Sequence, residues 1–130
     1  LDGADGTDTL TVTDTGAISV PPSATIANIE NINLTSTATV TADGTSWTGA
    51  ETITVAGVGA ATLTAAATTD VIATATVMSA DVTVQGAKDV TLTTTNTSTT
   101  AVSSGNSVLV GSTTAAAGTV ITHAAIIVIK

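Results

Sequence analysis

The sequence contains no cysteine, no arginine, no tyrosine and no phenylalanine, and each absence removes a class of function. Without cysteine the chain forms no disulfides and has no thiol chemistry. Because Trp47 is the only aromatic side chain, the ring platforms on which sugars and bases stack are missing. Lys88 and Lys130 face ten acidic residues, and the net charge of −8 repels phosphate backbones and anionic lipid. We therefore expect no nucleic-acid partner.

Long hydrophobic runs are missing as well. The longest strongly apolar stretch, 124–129, is far shorter than the roughly 20 residues of a membrane-spanning helix, and it has the composition of a strand. We therefore expect no membrane insertion. A chain that starts at Leu1 and stops just after an apolar strand is typical of a piece of a longer protein. We expect residues 1–130 to form a single segment of such a parent chain.

Threonine and alanine dominate what is present, with 32 and 23 residues of 130. Val, Ile or Leu alternates with Thr or Asn in short runs, which is the period-two pattern of half-buried strands. The alanine patch 65–67 is too short for a convincing helix, and the polar stretch 93–104 is expected to be a partly ordered strand. The sequence predicts an all-β protein, with strands at 9–13, 31–35, 52–55, 62–64, 81–84 and 89–93.

The strand pattern repeats along the chain. An acidic residue precedes it at positions 8, 30, 51, 70 and 89, which are 22, 21, 19 and 19 residues apart. A second self-match places 53–63 over 82–92, at an offset of 29. If a strand recurs about every 10 residues, these offsets are two and three strands of one coiled arrangement.

Evenly spaced strands fit either an Ig-like β-sandwich or a parallel β-solenoid. A sandwich usually fills the gap between its sheets with some aromatic residues, whereas the narrow interior of a solenoid accepts Val, Ile, Leu, Ala and Thr. We therefore predict a parallel β-solenoid (β-helix) with rungs of about 20 residues. A charge at Val84 or Leu92 is expected to open its rung.

The opening segment holds the most specific chemical signal. Residues 3–11 resemble one copy of the nonapeptide G-G-x-G-x-D-x-U-x of repeats-in-toxin (RTX) proteins, with Ala4 in place of the second glycine. Glycines expose backbone carbonyls and aspartates add carboxylates, and these hard oxygen ligands suit Ca²⁺. The resemblance implies calcium at the matching positions and at two further carboxylates, which together are Asp2, Gly3, Asp5, Gly6 and Asp8. The alternative is an ordinary Asp-Gly turn pair.

The composition and strand pattern of the chain are similar to those of the Ala/Thr-rich β-strand repeats of bacterial surface-layer (S-layer) proteins and adhesins exported by type I secretion. The similarity lies in residues 28–34 and 47–55 and in the RTX-like start. It implies a non-catalytic structural component of the extracellular cell surface that self-assembles into an array with calcium. Contact with cell-surface polysaccharide would come from other parts of the parent chain. The alternative is a stalk or repeat module of a large secreted adhesin.

The sequence also contains three weaker signals. Thr-x-Thr pairs at 9/11, 39/41, 52/54, 62/64 and 91/93 resemble the ladders of ice-binding proteins, although their irregular spacing favours ordinary outward threonines. His123 has no nucleophile motif nearby, so we expect no enzyme. Trp47 is expected to cover a rung corner or to pack against a neighbouring subunit, and Lys88 to pair with Asp89 at the surface.

Overall fold

A computed structural model describes residues 1–57, 59–75, 82–95, 108–111 and 121–126. These residues form strands and connecting turns, and no helix occurs among them. No helix of this part of the chain is therefore long and apolar enough to cross a membrane. Of the polar stretch 93–104, residues 93–95 belong to a strand, and the prediction for 96–104 falls outside the described residues.

In the described residues, eleven strands make two sheets, and every pair of neighbouring strands is parallel. The odd-numbered strands form the sheet that we call the front sheet, and the even-numbered strands form the back sheet. The chain alternates between the two sheets, so one full turn supplies a strand to each. The strands are β1 (Thr9–Asp14), β2 (Ile18–Val20), β3 (Asn31–Ser36), β4 (Thr39–Gly44), β5 (Thr52–Ala56), β6 (Ala60–Ala65), β7 (Asp70–Ala75), β8 (Val82–Gly86), β9 (Val90–Thr95), β10 (Val108–Gly111) and β11 (Ile121–Ile126).

This arrangement is a parallel β-solenoid with rungs of about 21 residues, as the sequence predicts. The strand register explains both internal repeats. Thr9 pairs with Asn31 and Asn31 with Thr52, which are offsets of one turn. The offset of 29 aligns the sequence of β5, in the front sheet, with the sequence of β8, in the back sheet. β8 comes three strands after β5 along the chain. The two repeats are therefore compatible.

The third turn departs from the predicted acid spacing by one residue. Thr52 pairs with Asp70, so Asp70 is in register with a threonine and not with Glu51. This register stacks Val71 on Ile53, and both side chains are buried. Alignment of the acids would instead place Val71 over Thr52, whose side chain is on the outer face, and a slip of one residue exchanges the two faces of a strand.

The core is a narrow aliphatic stack between the two sheets. Along β3, β4, β5 and β7, alternate residues are buried, and the same inward position is occupied from turn to turn by side chains that pack on one another. Side chains of different size stack in one column, since Leu34 lies over Val55 and Val55 over Ala73. The inward residues that are almost completely buried are Ile32, Leu34, Ile53, Leu63, Val40, Val55, Val71, Val82, Val84 and Val90.

The first turns have a short third side. Parallel bridges join Asp2 to Ala27 and Ala27 to Thr48, between the back and front sheets. Trp47 fills this wide corner and is 4% exposed, so it covers a rung corner, as predicted. A Cβ atom at Gly44 would lie 3.0 Å from the indole ring, which shows how closely the ring packs on the backbone. The corners before β7 and β9 are shorter, because four residues separate β6 from β7 and three separate β8 from β9.

The short corner before β7 depends on one buried hydroxyl. Thr69 is buried, and its Oγ1 donates a 2.8 Å hydrogen bond to the carbonyl oxygen of Ala50 in the preceding turn. We expect Thr69→Val to lower the free energy of unfolding by about 1–3 kcal/mol, because the Ala50 oxygen loses its side-chain donor. Thermal unfolding followed by circular dichroism measures the loss. Thr68→Val, at the exposed neighbouring position, should change little, and equal melting of both variants would contradict this account.

Candidate functional site

The RTX-like loop lies at the first corner of the solenoid. Asp2 forms the bridge to Ala27, and the amide of Gly3 donates a 3.0 Å hydrogen bond to the Ala27 carbonyl. Six residues lie between Asp2 and the start of β1 at Thr9, whereas only three lie between Ala27 and the start of β3. The first corner is therefore longer by three residues, and the extra chain forms the loop that holds the predicted calcium residues.

The Asp2 carboxylate is held by two donors. Its Oδ1 accepts hydrogen bonds of 3.0 Å from the amide of Ala4 and of 3.0 Å from the Nδ2 of Asn28. These bonds, first the one from Ala4 and then the one from Asn28, lower the pKa of Asp2 from its usual 3.8 because they stabilise the charged form. Asp2 is therefore anionic at neutral pH and ties the loop to the second turn.

Asp8 carries the most unusual atom of the loop. Its Oδ2 is buried and has no hydrogen-bond partner. A Cβ atom at Gly3 would lie 2.9 Å from this oxygen and would overlap the carbonyl oxygen of Asn28, so only glycine fits at position 3. Gly6 has a φ of +128°, in the region that favours glycine. Both predicted glycines are therefore required by the geometry of the loop that surrounds Asp8.

Glu30 is a site residue that the loop motif does not include. Its Oε2 accepts a 2.8 Å hydrogen bond from the amide of Asp8, so the Glu30 carboxylate reaches from the second turn to the first. The acidic repeat contains a signal for this proximity, since Glu30 follows Asp8 by one turn. A motif confined to consecutive residues cannot detect it.

The five predicted calcium residues are partly brought together. Asp2 and Asp8 flank Gly3, whereas Asp5 is exposed at the tip of the loop. Within the described ranges, no three acidic or histidine side chains form a group of the kind that holds a metal ion. The buried, unpartnered Oδ2 of Asp8 and the carboxylate of Glu30, which accepts a hydrogen bond from the Asp8 amide, are nevertheless anionic oxygens of the kind that calcium prefers. Calcium at this loop stays a prediction.

Acidic residues recur along one corner of the solenoid, just before or at the start of each front strand from β1 to β9. We call this set the acidic corner, and it consists of Asp8, Glu30, Glu51, Asp70 and Asp89. Backbone hydrogen bonds link its members across turns, from the amide of Glu51 to the carbonyl of Glu30 at 2.9 Å and from Asp70 to Glu51 at 2.8 Å. Residues of like charge therefore follow one another along the solenoid axis. In adjacent turns their backbones are about 4.8 Å apart, which is one strand spacing.

Lys88 lies at one end of the acidic corner. Its Nζ is 3.8 Å from Asp89 Oδ2, which confirms the predicted ion pair, and it is closer to Asp70 Oδ1, at 3.4 Å. The contact with Asp70 is an ion pair without a hydrogen bond, since Asp70 Oδ1 has no hydrogen-bond partner. All three side chains are substantially exposed, so these pairs contribute little stability. Lys88 does, however, neutralise part of the charge at its end of the corner.

The Thr-x-Thr pairs do not form continuous double ladders. In the front sheet, Thr9 and Thr11 stack on Asn31 and Asn33, then on Thr52 and Thr54, then on Asp70 and Ile72. In the back sheet, Thr41 stacks on Thr62, but Asp43 occupies the position over Thr64. The rows are therefore interrupted by asparagine, aspartate and isoleucine, and ice binding stays a prediction.

His123 belongs to β11, where its backbone is in register with Leu92. The side chains of both residues lie outside the described part of the structure. The expectation that the protein is not an enzyme therefore stays a prediction. Comparison of the sequence with protein-family models, with curated proteins and with solved structures finds no match.

Proposed function

We propose that this chain is a structural, non-catalytic segment of an extracellular bacterial surface layer that self-assembles when calcium neutralises its acidic corner. The observation that carries the proposal is the stacking of Asp8, Glu30 and Glu51 on successive turns. The resemblance to S-layer and RTX-type repeats supports the location at the cell surface. Other parts of the parent chain would provide any contact with cell-surface polysaccharide.

Electrostatics explains why calcium would matter. Two unit charges about 4 Å apart in water repel by about 1 kcal/mol, and burial strengthens the effect. Within the described ranges, the ion pairs of the acidic corner are those of Lys88 at the Asp70 and Asp89 end. The end formed by Asp8, Glu30 and Glu51 has no ion pair in these ranges. A divalent cation bound there would remove the repulsion and would give the unpartnered Asp8 oxygen a partner.

The test is sedimentation velocity in millimolar calcium and then in excess chelator. We expect calcium to produce large assemblies that the chelator dissolves. Asp8→Asn should raise the calcium concentration needed for assembly by about tenfold or more, because a neutral amide replaces a carboxylate ligand. A tenfold change corresponds to about 1.4 kcal/mol of binding free energy.

Asp43→Asn is the matched control for this test. It makes the same charge change outside the acidic corner, and the asparagine Oδ1 keeps an acceptor for the bonds from Thr45, which are 3.1 Å from the amide and 2.7 Å from the hydroxyl in the native chain. We expect Asp43→Asn to assemble like the native chain. Equal loss of the calcium response in both variants would point to net charge and not to the loop around Asp8.

A stalk or repeat module of a large adhesin is the second candidate. The specific observation in its favour is the one-dimensional stack, in which each strand pairs only with the strands of adjacent turns. Such a spacer needs no self-association. An elongated monomer in both calcium and chelator would favour the stalk and overturn the surface-layer proposal.

A further inference from the structure

An aspartate is followed directly by a glycine at three places in the chain. These pairs are Asp2-Gly3, Asp5-Gly6 and Asp43-Gly44. The dipeptide favours isomerisation of the aspartate, because glycine has no side chain to hinder the attack of its amide nitrogen on the preceding carboxyl group. The attack requires a free amide, a carboxyl group that is free to rotate and a backbone that bends into a ring. The three pairs differ in all of these requirements.

The first pair is held at both reacting groups. The amide of Gly3, which would be the nucleophile, donates its hydrogen bond to the carbonyl oxygen of Ala27 at 3.0 Å. The Asp2 carboxylate accepts the bonds from Ala4 and Asn28, and these bonds lower its pKa and keep it ionised. The ionised form reacts more slowly, because its oxygen is a poorer leaving group. The fold therefore protects Asp2.

The third pair is held by its strand. Asp43 and Gly44 are the last two residues of β4, and they are in register with Thr64 and Ala65 of β6. Asp43 Oδ1 accepts hydrogen bonds from the hydroxyl of Thr45 at 2.7 Å and from its amide at 3.1 Å, and these lower the pKa of Asp43. Gly44 is also buried. Ring closure here would break both hydrogen bonds and bend a paired strand.

The second pair is free at both reacting groups. Asp5 and Gly6 are exposed at the tip of the loop, and neither belongs to a strand. Among the described residues, the Asp5 carboxylate accepts no hydrogen bond and the Gly6 amide donates none. We infer that Asp5 is a site of spontaneous modification, at which the folded protein converts aspartate to isoaspartate, whereas Asp2 and Asp43 are protected.

The conversion has two steps, and water is the only other reactant. The Gly6 nitrogen attacks Cγ of Asp5 and forms a C–N bond, while the carboxyl oxygen leaves as water with the amide proton. The product is a five-membered succinimide ring. Water then adds to one of the two ring carbonyls, breaks its bond to the nitrogen and returns a proton to it. Opening at the main-chain carbonyl leaves the chain running through Cγ, which is isoaspartate, and opening at Cγ restores aspartate.

Isoaspartate adds one carbon atom to the main chain between two fixed points of the loop. Gly3 is tied to Ala27 on one side of Asp5, and the amide of Asp8 is tied to Glu30 on the other. The extra length therefore has to be taken up within the loop. We expect the converted loop to hold Asp8 less firmly, although the mass and the number of carboxylates are unchanged.

The test is to age the full chain at neutral pH in excess chelator, once folded and once in guanidinium chloride. Thermolysin peptides that contain each pair are then separated, and electron-transfer fragmentation distinguishes isoaspartate from aspartate. In the folded chain we expect Asp5 to convert about tenfold or more faster than Asp2 or Asp43, because their hydrogen bonds and strand pairing add to the barrier. In guanidinium chloride, where the fold protects none of the pairs, the three rates should be similar.

Asp5→Glu is the informative variant, and Asp43→Glu is its matched control. Glutamate keeps the charge, but it would have to close a six-membered ring, which forms much more slowly. We expect Asp5→Glu to remove most of the isoaspartate that the folded chain accumulates in residues 1–57, and Asp43→Glu to leave that amount unchanged. Circular dichroism establishes that each variant folds.

Two results would overturn the inference. One is conversion of Asp2 or Asp43 as fast as that of Asp5 in the folded chain. The other is a lead of Asp5 that persists in guanidinium chloride, because the fold would then not be its cause. The measurement is made without calcium, so its outcome is independent of the proposed surface-layer function.

Discussion

A Val84→Asp variant is expected to lose the cooperative unfolding transition of the native solenoid. Val84 is 1% exposed in β8, a central strand of the back sheet, and it stacks on Leu63 of the preceding turn. The described core cluster around Val84 consists of hydrophobic side chains, so a carboxylate there must either stay charged in an apolar interior or take up a proton. Both outcomes cost several kcal/mol, which is a large part of the roughly 5–15 kcal/mol that stabilises a typical domain.

Far-UV circular dichroism during heating measures this loss. The control is Thr83→Asp, in which the same charge is introduced one residue earlier on the outward face of the same strand. We expect the control to melt within a few degrees of the native chain, since surface substitutions usually change stability by less than about 0.5 kcal/mol. If Val84→Asp melted like Thr83→Asp, the assignment of Val84 to the core would be wrong.

Gly86→Ala is expected to be the most damaging small substitution in the described residues. Gly86 has a φ of +73°, where a side chain costs about 1–2 kcal/mol in backbone strain. A Cβ atom at this position would also overlap the backbone carbonyl oxygen of Ala65 in the preceding turn. That oxygen accepts a 3.3 Å hydrogen bond from the amide of Ala87, so moving it disturbs the corner that leads to β9.

Gly16→Ala is the control for this prediction. The φ of Gly16 is outside the left-handed region, and the nearest atom to an added Cβ would be Asp14 Oδ1 at 3.5 Å, an ordinary contact. We expect urea unfolding midpoints to fall clearly for Gly86→Ala and to stay close to the native value for Gly16→Ala. Equal midpoints would show that the corner at Gly86 relaxes without cost.

The fold could be predicted because apolar residues at the inward positions alternate with polar residues along the strands. Alternation of Ile53 and Val55 with threonines predicts a strand with one buried face, and the lack of aromatic residues favours a narrow solenoid core. The register at Asp70 was not predictable from the acids. Corner lengths change between turns, and the strand aligns by its buried side chains, so Val71 determines the register and the acidic residue shifts by one position.

The candidate site was predictable only where it is local in sequence. The loop motif identifies Gly3, Gly6 and Asp8, and the geometry around the Asp8 carboxylate requires both glycines. Glu30 escaped the motif because it comes from the next turn of the coil, and its contact with Asp8 depends on strand register.

The buried indole of Trp47 gives the protein a built-in local probe. It is the only tryptophan, and it fills the corner between the second and third turns. Each turn packs mainly on its neighbours, so indole fluorescence follows the opening of that corner, whereas circular dichroism follows all the strands. Coincident curves from the two signals would mean that unfolding is cooperative along the whole coil. Separated curves would measure how many turns open independently of the one that holds the indole.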